Sequence, residues 1–364
     1  MHGIYSAGPG TRLQERKLRR IAGMSSLATS RRSRSRARAP RSSIPATMRA
    51  AAMSSFGDPD VLAIRSLPVP QPNANEVLIA MLAAGVGSWD PKIRSGDWAE
   101  DDDTEFPMIP GMDGCGRVVA VGANVSRFSP GDFVYSYSYE NPKGGFCAEY
   151  VCVAAGKVAP VAEGLDAISA GALPAIGLTA LQGVDDAAEI EAGESVIVHG
   201  ASGNVGMLAL QFAKLRGARV LAVASGEDGV ELARRLGADD AIDGKSDDIE
   251  EATRRFAPDG VDAVLAFVGG KELTRCLDGM KEGGRLAYPN GIEPEPRKRR
   301  GLKITSYDAE SGVRPFERLN AAIAESRLQV PIAAVFPLDD IARAHERIEQ
   351  GHVVGKVMID VNAS

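Results

Sequence analysis

One stretch limits what this chain can fold into more than any other: Glu194 to Gly217. Val196, Ile197 and Val198 form a short apolar run that reads as a buried parallel strand. A turn of small residues follows from Gly200 to Gly206, with Ala201, Ser202, Gly203, Asn204 and Val205 between the two glycines. Val205, Leu208, Phe212 and Leu215 then recur at helical spacing, and Gly217 stands where such a helix would end. Strand, turn and helix make the first half of a dinucleotide-binding βαβ unit. Backbone N–H groups of the turn can approach a pyrophosphate at the positive end of the helix. The fingerprint departs from G-x-G-x-x-G because Ala201 replaces its first glycine. Taken alone, the turn also suits a tight connection with no ligand. A second strand run, Arg219 to Ala224, follows at once, as the motif requires.

What surrounds this unit falls into two styles. Residues 48 to about 170 read as mostly β, with strand runs at Glu76–Leu82, Gly116–Val121 and Ala148–Val153 separated by Pro- and Gly-containing turns. From about 172 to 308 strands and helices alternate, which implies a parallel sheet covered on both faces. The expected strands there are Val196–Val198, Val220–Val223, Ala241-Ile242, Val261–Val268 and Arg285–Tyr288. Pro294 to Arg300 reads as an exposed loop, Leu338–Gln350 as a helix, and Val353–Val361 as a final strand that returns to the first domain. The 364 residues suffice for two such cores. The expected division is 48–171 with 309–364 returning to it, and 172–308 between.

Charge and cysteine content narrow the class. The net charge of −6 conceals an arm, residues 1–47, with eleven Lys/Arg against one acid, Glu15. The body is therefore acidic and offers no nucleic-acid surface. The arm is low-complexity and reads as disordered. It fits a transit peptide, a nucleic-acid-binding tail, or translation from an early start, since Met48-Arg-Ala-Ala-Ala is itself a plausible beginning. No apolar run reaches the roughly 20 residues of a membrane span, the most apolar segment, Ala167 to Leu181, being interrupted by Pro174. Cys115, Cys147, Cys152 and Cys276 form no C-x-x-C pair and read as free thiols of a cytoplasmic protein. The acidic run Glu100 to Asp103 reads as a solvated loop.

Several further motifs stand in a telling order: Pro110-Gly-Met-Asp-Gly-Cys-Gly-Arg-Val118, Pro130-Gly-Asp-Phe-Val134, Gly177-Leu-Thr-Ala180, the His199–Gly206 turn, Leu236-Gly-Ala-Asp239 and Gly355-Lys-Val357. Over residues 48–361 the chain resembles the medium-chain dehydrogenase/reductase superfamily, in its zinc-free quinone oxidoreductase (zeta-crystallin-like) branch. The resemblance implies an α/β protein with a GroES-like β-barrel domain, a Rossmann domain with a doubly wound parallel sheet, an active site in the cleft between them, and a homodimer. Where zinc-dependent relatives carry Cys, a proton relay and His, this chain has Gly87, Trp89 and Met112, and Leu173-Pro-Ala175 lacks the third ligand. Gly, Met and Ala cannot replace thiolate and imidazole at zinc. Without that Lewis acid the expected chemistry is hydride delivery from a nicotinamide to an electron-poor acceptor, a quinone or an α,β-unsaturated carbonyl.

Ser225 lies nineteen residues after Gly206, where NAD sites place an acid for the ribose 2′-OH. A small hydroxyl leaves room for a 2′-phosphate, so NADPH is expected before NADH. Glu227 and Asp228 nearby, and Gly229 and Gly244 where relatives carry Lys and Tyr, argue the other way. The turn residues Ala201 to Gly206 are expected at the pyrophosphate. Resemblance adds Thr179 and the strand-end groups Phe267, Val268, Gly269, Asn290 and Gly291 around the nicotinamide. Asp90, Lys92 and Tyr135 are the catalytic candidates, against a surface ion pair for the first two and barrel packing for Tyr135. Trp89 suits stacking on a flat quinone or core packing, and His199 reads as structural. Two functions stay open, a reductase and a non-catalytic NADPH-binding protein, with a zinc alcohol dehydrogenase a distant third.

Overall fold

The computed structural model describes residues 44–98, 104–139 and 141–363. The basic arm up to residue 43 and the acidic run at 100–103 lie outside the described residues.

The first part is a barrel lobe. Its elements are β1 (Thr47–Ala52), β2 (Ala63–Pro68), β3 (Glu76–Val86), α1 (Asp90–Ser95), β4 (Asp113–Val121), β5 (Phe133–Tyr137), β6 (Tyr150–Ala154) and β7 (Val158–Pro160). The parallel lobe follows with α2 (Ala167–Gln182), β8 (Ser195–His199), α3 (Gly206–Leu215), β9 (Arg219–Ala224), α4 (Gly226–Arg235) and β10 (Asp240–Asp243). It continues through α5 (Ile249–Phe256), β11 (Val261–Ala266), α6 (Lys271–Asp278), β12 (Met280–Pro289), β13 (Lys303–Tyr307) and α7 (Val313–Glu325). The chain ends with β14 (Ile332–Pro337), α8 (Ile341–Glu349) and β15 (Lys356–Asp360).

The parallel sheet has the order β10-β9-β8-β11-β12-β13. Every neighbouring pair in it is parallel. Consecutive strands run outward from β8 and then restart at β11 on its other side. A crevice opens at that reversal, beyond the carboxyl ends of β8 and β11, where ligands of such sheets bind. The apolar runs that marked β8, β9 and β11 are buried on both faces, as a covered parallel sheet requires.

The other large sheet follows β14-β15-β3-β4-β5-β7, with β6 also paired to β3. Here neighbours are antiparallel except β14 with β15. The final strand thus joins the barrel lobe through β3. β1 begins before Met48: Thr47 pairs with Pro68, and the Ala46 carbonyl accepts from Val69 N–H at 3.1 Å. A chain started at Met48 would forgo both contacts.

Helix α2 joins the lobes and corrects one expectation. The sequence suggests that Pro174 interrupts the apolar run, yet the helix passes through it. With its continuation to Ala187 it covers 21 residues, long and apolar enough by length and composition to cross a membrane. It is a core helix: 78% of its most apolar 18-residue stretch is buried, and it packs against β3, β4 and α3. Asp166 caps its start by accepting from Ser169 N–H at 2.7 Å. Proline weakens the helical ladder locally, and the Ala175 N–H beside it donates to Asp113 of β4 at 3.1 Å.

Candidate active site

The turn after β8 is a backbone cradle. Gly200 has φ +80°, a left-handed conformation that suits glycine. A Cβ on Gly206 would come within 2.1 Å of the Gly200 carbonyl oxygen, so only glycine lets α3 start this close to β8. A Cβ on Gly203 would meet only the Gly200 carbonyl oxygen, at 3.3 Å, leaving open space above the turn. The positive end of a ten-residue helix suits an anionic pyrophosphate.

Two cavities flank this turn. The first, about 370 Å³, is a cleft between the lobes. Asn204, Val205 and Phe267 line it from the parallel lobe. Trp89, Trp98, Met112 and Tyr137 face them from the barrel lobe. The second, about 310 Å³, lies over Gly200, Ser202 and Gly203, with Ser225, Lys245, Val268 and Gly269 around it. An elongated ligand with a head in each cavity would cross the turn at its glycines.

The expected cofactor residues separate accordingly. Thr179, Asn204, Val205, Phe267, Asn290 and Gly291 line the cleft. Ser202, Gly203, Ser225, Val268 and Gly269 line the second cavity. Gly206 opens α3 behind them. Ala201 is fully buried and packs in the core instead of lining either space. The Thr179 hydroxyl donates to the Ala175 carbonyl at 2.8 Å, leaving its lone pairs toward the cleft as acceptors. Asn290 donates from Nδ2 to Asp308 at 2.7 Å, fixing its amide at the cleft wall.

The three catalytic candidates fare differently. Tyr135 is fully buried, donates to Asn320 Oδ1 at 2.5 Å, and packs on Phe316 with ring centroids 5.1 Å apart. It is a packing residue outside the cleft. Asp90 is also withdrawn: its carboxylate accepts from Gly87 N–H at 2.6 Å, and it lines not the cleft but an adjoining cavity of about 1220 Å³ in the barrel lobe, which shares Met112 and Tyr139 with the cleft. Lys92 lies at the rim, paired with Glu293 at 3.0 Å and set over the Trp98 ring at 5.1 Å. That ion pair links α1 to the loop after β12, so it bridges the two walls. Trp98 in turn packs on Gly291, where a Cβ would come within 3.0 Å of the ring.

Behind the cleft, Asp90 and Asp113 flank a buried lysine. Lys356 is fully buried, and its Nζ makes no hydrogen bond among the described residues. It stands 5.1 Å from the centre of the Trp89 ring. Burial pushes the Asp90 carboxyl up to about 7, against the pull of the Gly87 N–H and the Lys356 charge. Burial also raises Asp113, with Lys356 again opposing. Trp89 and Met112 precede these acids in sequence, so the buried charges anchor the segments that line the cleft. His199 is buried with neither ring nitrogen hydrogen-bonded among the described residues, and burial pushes it down to about 4. It is neutral at pH 7, in keeping with a structural role.

Sequence reasoning missed Trp98, Tyr137 and Tyr307. Tyr137 shares its strand face with Tyr135, because residues two apart on a strand point the same way. Tyr135 meets the core and Tyr137 the cleft, and burial pushes the Tyr137 phenol up to about 12. Tyr307 ends β13 and donates to the Thr179 carbonyl at 2.9 Å.

The metal question turns on donor chemistry. Among the described residues no group of three or more His, Cys, Asp or Glu could hold a metal ion. A Cβ on Gly87 would come within 2.5 Å of the Trp89 ring, so an indole fills the space a longer side chain would need there. Gly87, Met112 and Ala175 do not fit a zinc ion.

Comparison with known proteins agrees with this architecture. Residues 73–163 match the alcohol dehydrogenase GroES-like domain, and residues 236–359 match the family described as zinc-binding dehydrogenase. Quinone oxidoreductase from Mus musculus is 32% identical over 318 residues, covering 84% of this chain and 95% of that protein. An Arabidopsis thaliana protein, the chloroplastic NADPH-dependent alkenal/one oxidoreductase, is 32% identical over 326 residues, covering 87% of this chain and 80% of that protein. A mycobacterial protein solved in complex with NADPH superposes with a TM-score of 0.76 at 29% identity, covering 86% of this chain and 99% of that one. The glycine cradle, the two-lobed cleft and these similarities together make the chain a member of the medium-chain dehydrogenase/reductase superfamily, in its quinone oxidoreductase branch, and an oxidoreductase.

Proposed function

We propose that this enzyme is an NADPH-dependent reductase of quinones or α,β-unsaturated carbonyls that works without zinc. The observation that carries the reading is the pair of cavities on either side of the glycine turn, the one between the lobes walled by two indoles and three phenols. The cradle of Gly200, Gly203 and Gly206 would hold the pyrophosphate, with the nicotinamide among Thr179, Phe267 and Asn290 and the adenosine end over Ser202 and Ser225. Bound there, the reduced nicotinamide supplies a hydride. The protein's own part is to place and polarise the acceptor. Trp89 and Trp98 offer flat apolar faces to a planar acceptor and exclude water. The Tyr137 phenol, pushed up to about 12 by burial, keeps its proton at neutral pH and can donate to a carbonyl oxygen as charge develops on it. Solvent supplies the proton that completes the reduction.

A similar mouse protein named quinone oxidoreductase and a plant protein named alkenal/one oxidoreductase support both acceptor classes, and the NADPH-bound mycobacterial neighbour supports the cofactor. The proposal includes a cytoplasmic homodimer, on family resemblance alone, checked by light scattering for the dimer. The test of function is loss of reduced-nicotinamide absorbance with 1,4-benzoquinone, 9,10-phenanthrenequinone or a simple enone, with and without chelator. Turnover that prefers NADPH and resists chelation supports the reading. Turnover that chelation removes and zinc restores defeats it.

A further inference from the structure

The barrel-lobe cavity of about 1220 Å³ is left unused by a dinucleotide and a flat ring. It opens beside the cleft, because Met112 and Tyr139 line both spaces. The cleft, about 370 Å³, must take the nicotinamide as well as the reacting part of the acceptor. Ligand sites run from roughly 300 to 1000 Å³, so the cleft holds little beyond the two reacting groups. The larger space has walls held by backbone bonds. Met48 and Leu67 are cross-strand partners on β1 and β2 and form one wall. Ile93 of α1, Met108 and Ile109 add apolar surface. The loop at 141–145 forms another wall: Gly145 N–H donates to the Ile109 carbonyl at 3.0 Å, and Phe146 N–H to the Gly111 carbonyl at 3.1 Å. A Cβ on Gly145 would come within 2.3 Å of the Pro110 carbonyl oxygen, so glycine permits this close approach.

Charge says what this space can take. Lys143 is the one cation lining it among the described residues. Its Nζ pairs with Glu76 at 2.5 Å and donates to the Gln71 carbonyl at 2.8 Å. Asp90 and Glu105 are the lining acids. A phosphate or carboxylate entering here would meet two acids and no uncommitted cation, and burying it unpaired is costly. A neutral apolar occupant meets no such cost. The rim agrees: Tyr139 is 55% exposed, and Phe106, between the lining residues Glu105 and Pro107, is 38% exposed. Exposed apolar rings beside an apolar cavity suit the entry of an apolar ligand.

We propose that the acceptor carries a long, neutral, apolar tail, which lies in the barrel cavity while the reacting carbonyl lies in the cleft. The inference rests on the reductase reading of the cleft. The tail takes no part in the chemistry. Hydride from the nicotinamide and a proton from solvent give the same reduced product whatever the tail's length. What the tail adds is binding, from apolar surface removed from water.

The test is kcat/KM with NADPH for two series, 2-alkyl-1,4-benzoquinones and alkyl vinyl ketones, with tails of one to ten carbons kept below their solubility limits. In the series that is reduced, kcat/KM should rise about threefold per methylene over the first several carbons, the scale of a largely buried CH₂, and the rise should come from KM. A pentyl tail should exceed a tail of equal length ending in a carboxylate by more than about tenfold. Leu67→Trp puts an indole into the tail's space and should lower the decyl-to-methyl ratio of kcat/KM by at least about tenfold, with circular dichroism to confirm the fold. Met108→Trp makes the same test if Leu67→Trp does not fold. A flat series overturns the inference, as does a carboxylate tail that performs as well as the pentyl one. A folded Leu67→Trp or Met108→Trp protein that keeps the full ratio also overturns it, since the gain would then come from another surface. If short acceptors are reduced and long ones are no better, the reductase reading stands and the tail site falls. If neither series is reduced at any length, both fall.

Discussion

The two walls of the cleft are made differently. On the parallel side, seven consecutive residues, Gly200 to Gly206, form the turn, and its close approach to β8 depends on Gly206, where a Cβ would clash. On the barrel side, Trp89, Trp98, Met112 and Tyr137 come from separate segments and act through their side chains. A backbone site can be lost by adding a single Cβ but tolerates little variation. A side-chain site can change its ligand one residue at a time. The same fold can therefore keep one cofactor while its acceptor changes.

The largest expected effect falls on the cradle. Gly206→Val would drive a side chain into the Gly200 carbonyl, 2.1 Å from where its Cβ must stand. Dinucleotide affinity should fall by more than about 100-fold, the scale of strain and lost helix-terminus contacts combined. Calorimetric titration measures this, with circular dichroism to confirm a folded protein. Retained affinity would break the comparison.

Acid sensitivity sharpens it at the level of stability, because each lobe buries a histidine without a full set of partners. Burial pushes His199 of β8 down to about 4, and burial followed by the Arg94 charge pushes His345 of α8 down to about 3, from an ordinary 6.5. A depressed folded value means stability is present above 6.5 and is lost as pH falls toward the folded value. Each should remove on the order of 3 kcal/mol across that window. His345→Leu should lose less stability than the unmodified protein between pH 7 and pH 4.5, read by denaturant melts. Parallel curves would contradict the assignment.

Changes on the barrel wall should be smaller and confined to the acceptor. Tyr137→Phe removes the one phenol assigned to the acceptor oxygen, and kcat should fall by roughly tenfold to 100-fold with the NADPH Kd unchanged. Trp98→Ala should raise the acceptor KM by about tenfold with a smaller change in kcat. A Trp98→Ala effect mainly on cofactor affinity would erase the distinction between the walls. The smallest effect belongs to the bridge between them. Lys92 and Glu293 are 30% and 70% exposed, so their ion pair contributes at most about 1 kcal/mol. Glu293→Gln should change the acceptor KM by only a few-fold, and the difference should vanish at high salt.

The same contrast governs how much the sequence reveals. β8, β9 and β11 were legible because buried parallel strands are continuous apolar runs, and Gly217, with φ +85°, ends α3 where the pattern places it. β13 and β14 were missed: Lys303–Tyr307 and Ile332–Pro337 are only partly buried, and their polar or irregular runs carry no clear period. Within the site, the cradle could be read from spacing alone, because its parts adjoin in the chain. Tyr135 could not be told from Tyr137, since alternation reports the face of a strand and not the depth at which it meets the cleft. Asp90 was expected in the cleft but turns inward to the Gly87 N–H and the buried Lys356.

The central claim is that the two walls bring a reduced nicotinamide and an electron-poor double bond together for direct transfer. The most direct measurement is the mass of the product after one turnover of a simple enone with NADPH carrying deuterium on the transferred position of C4. Direct transfer predicts one deuterium on the β-carbon of the product, with the α-hydrogen taken from water. Product without deuterium, formed while NADPH is consumed, would contradict the account.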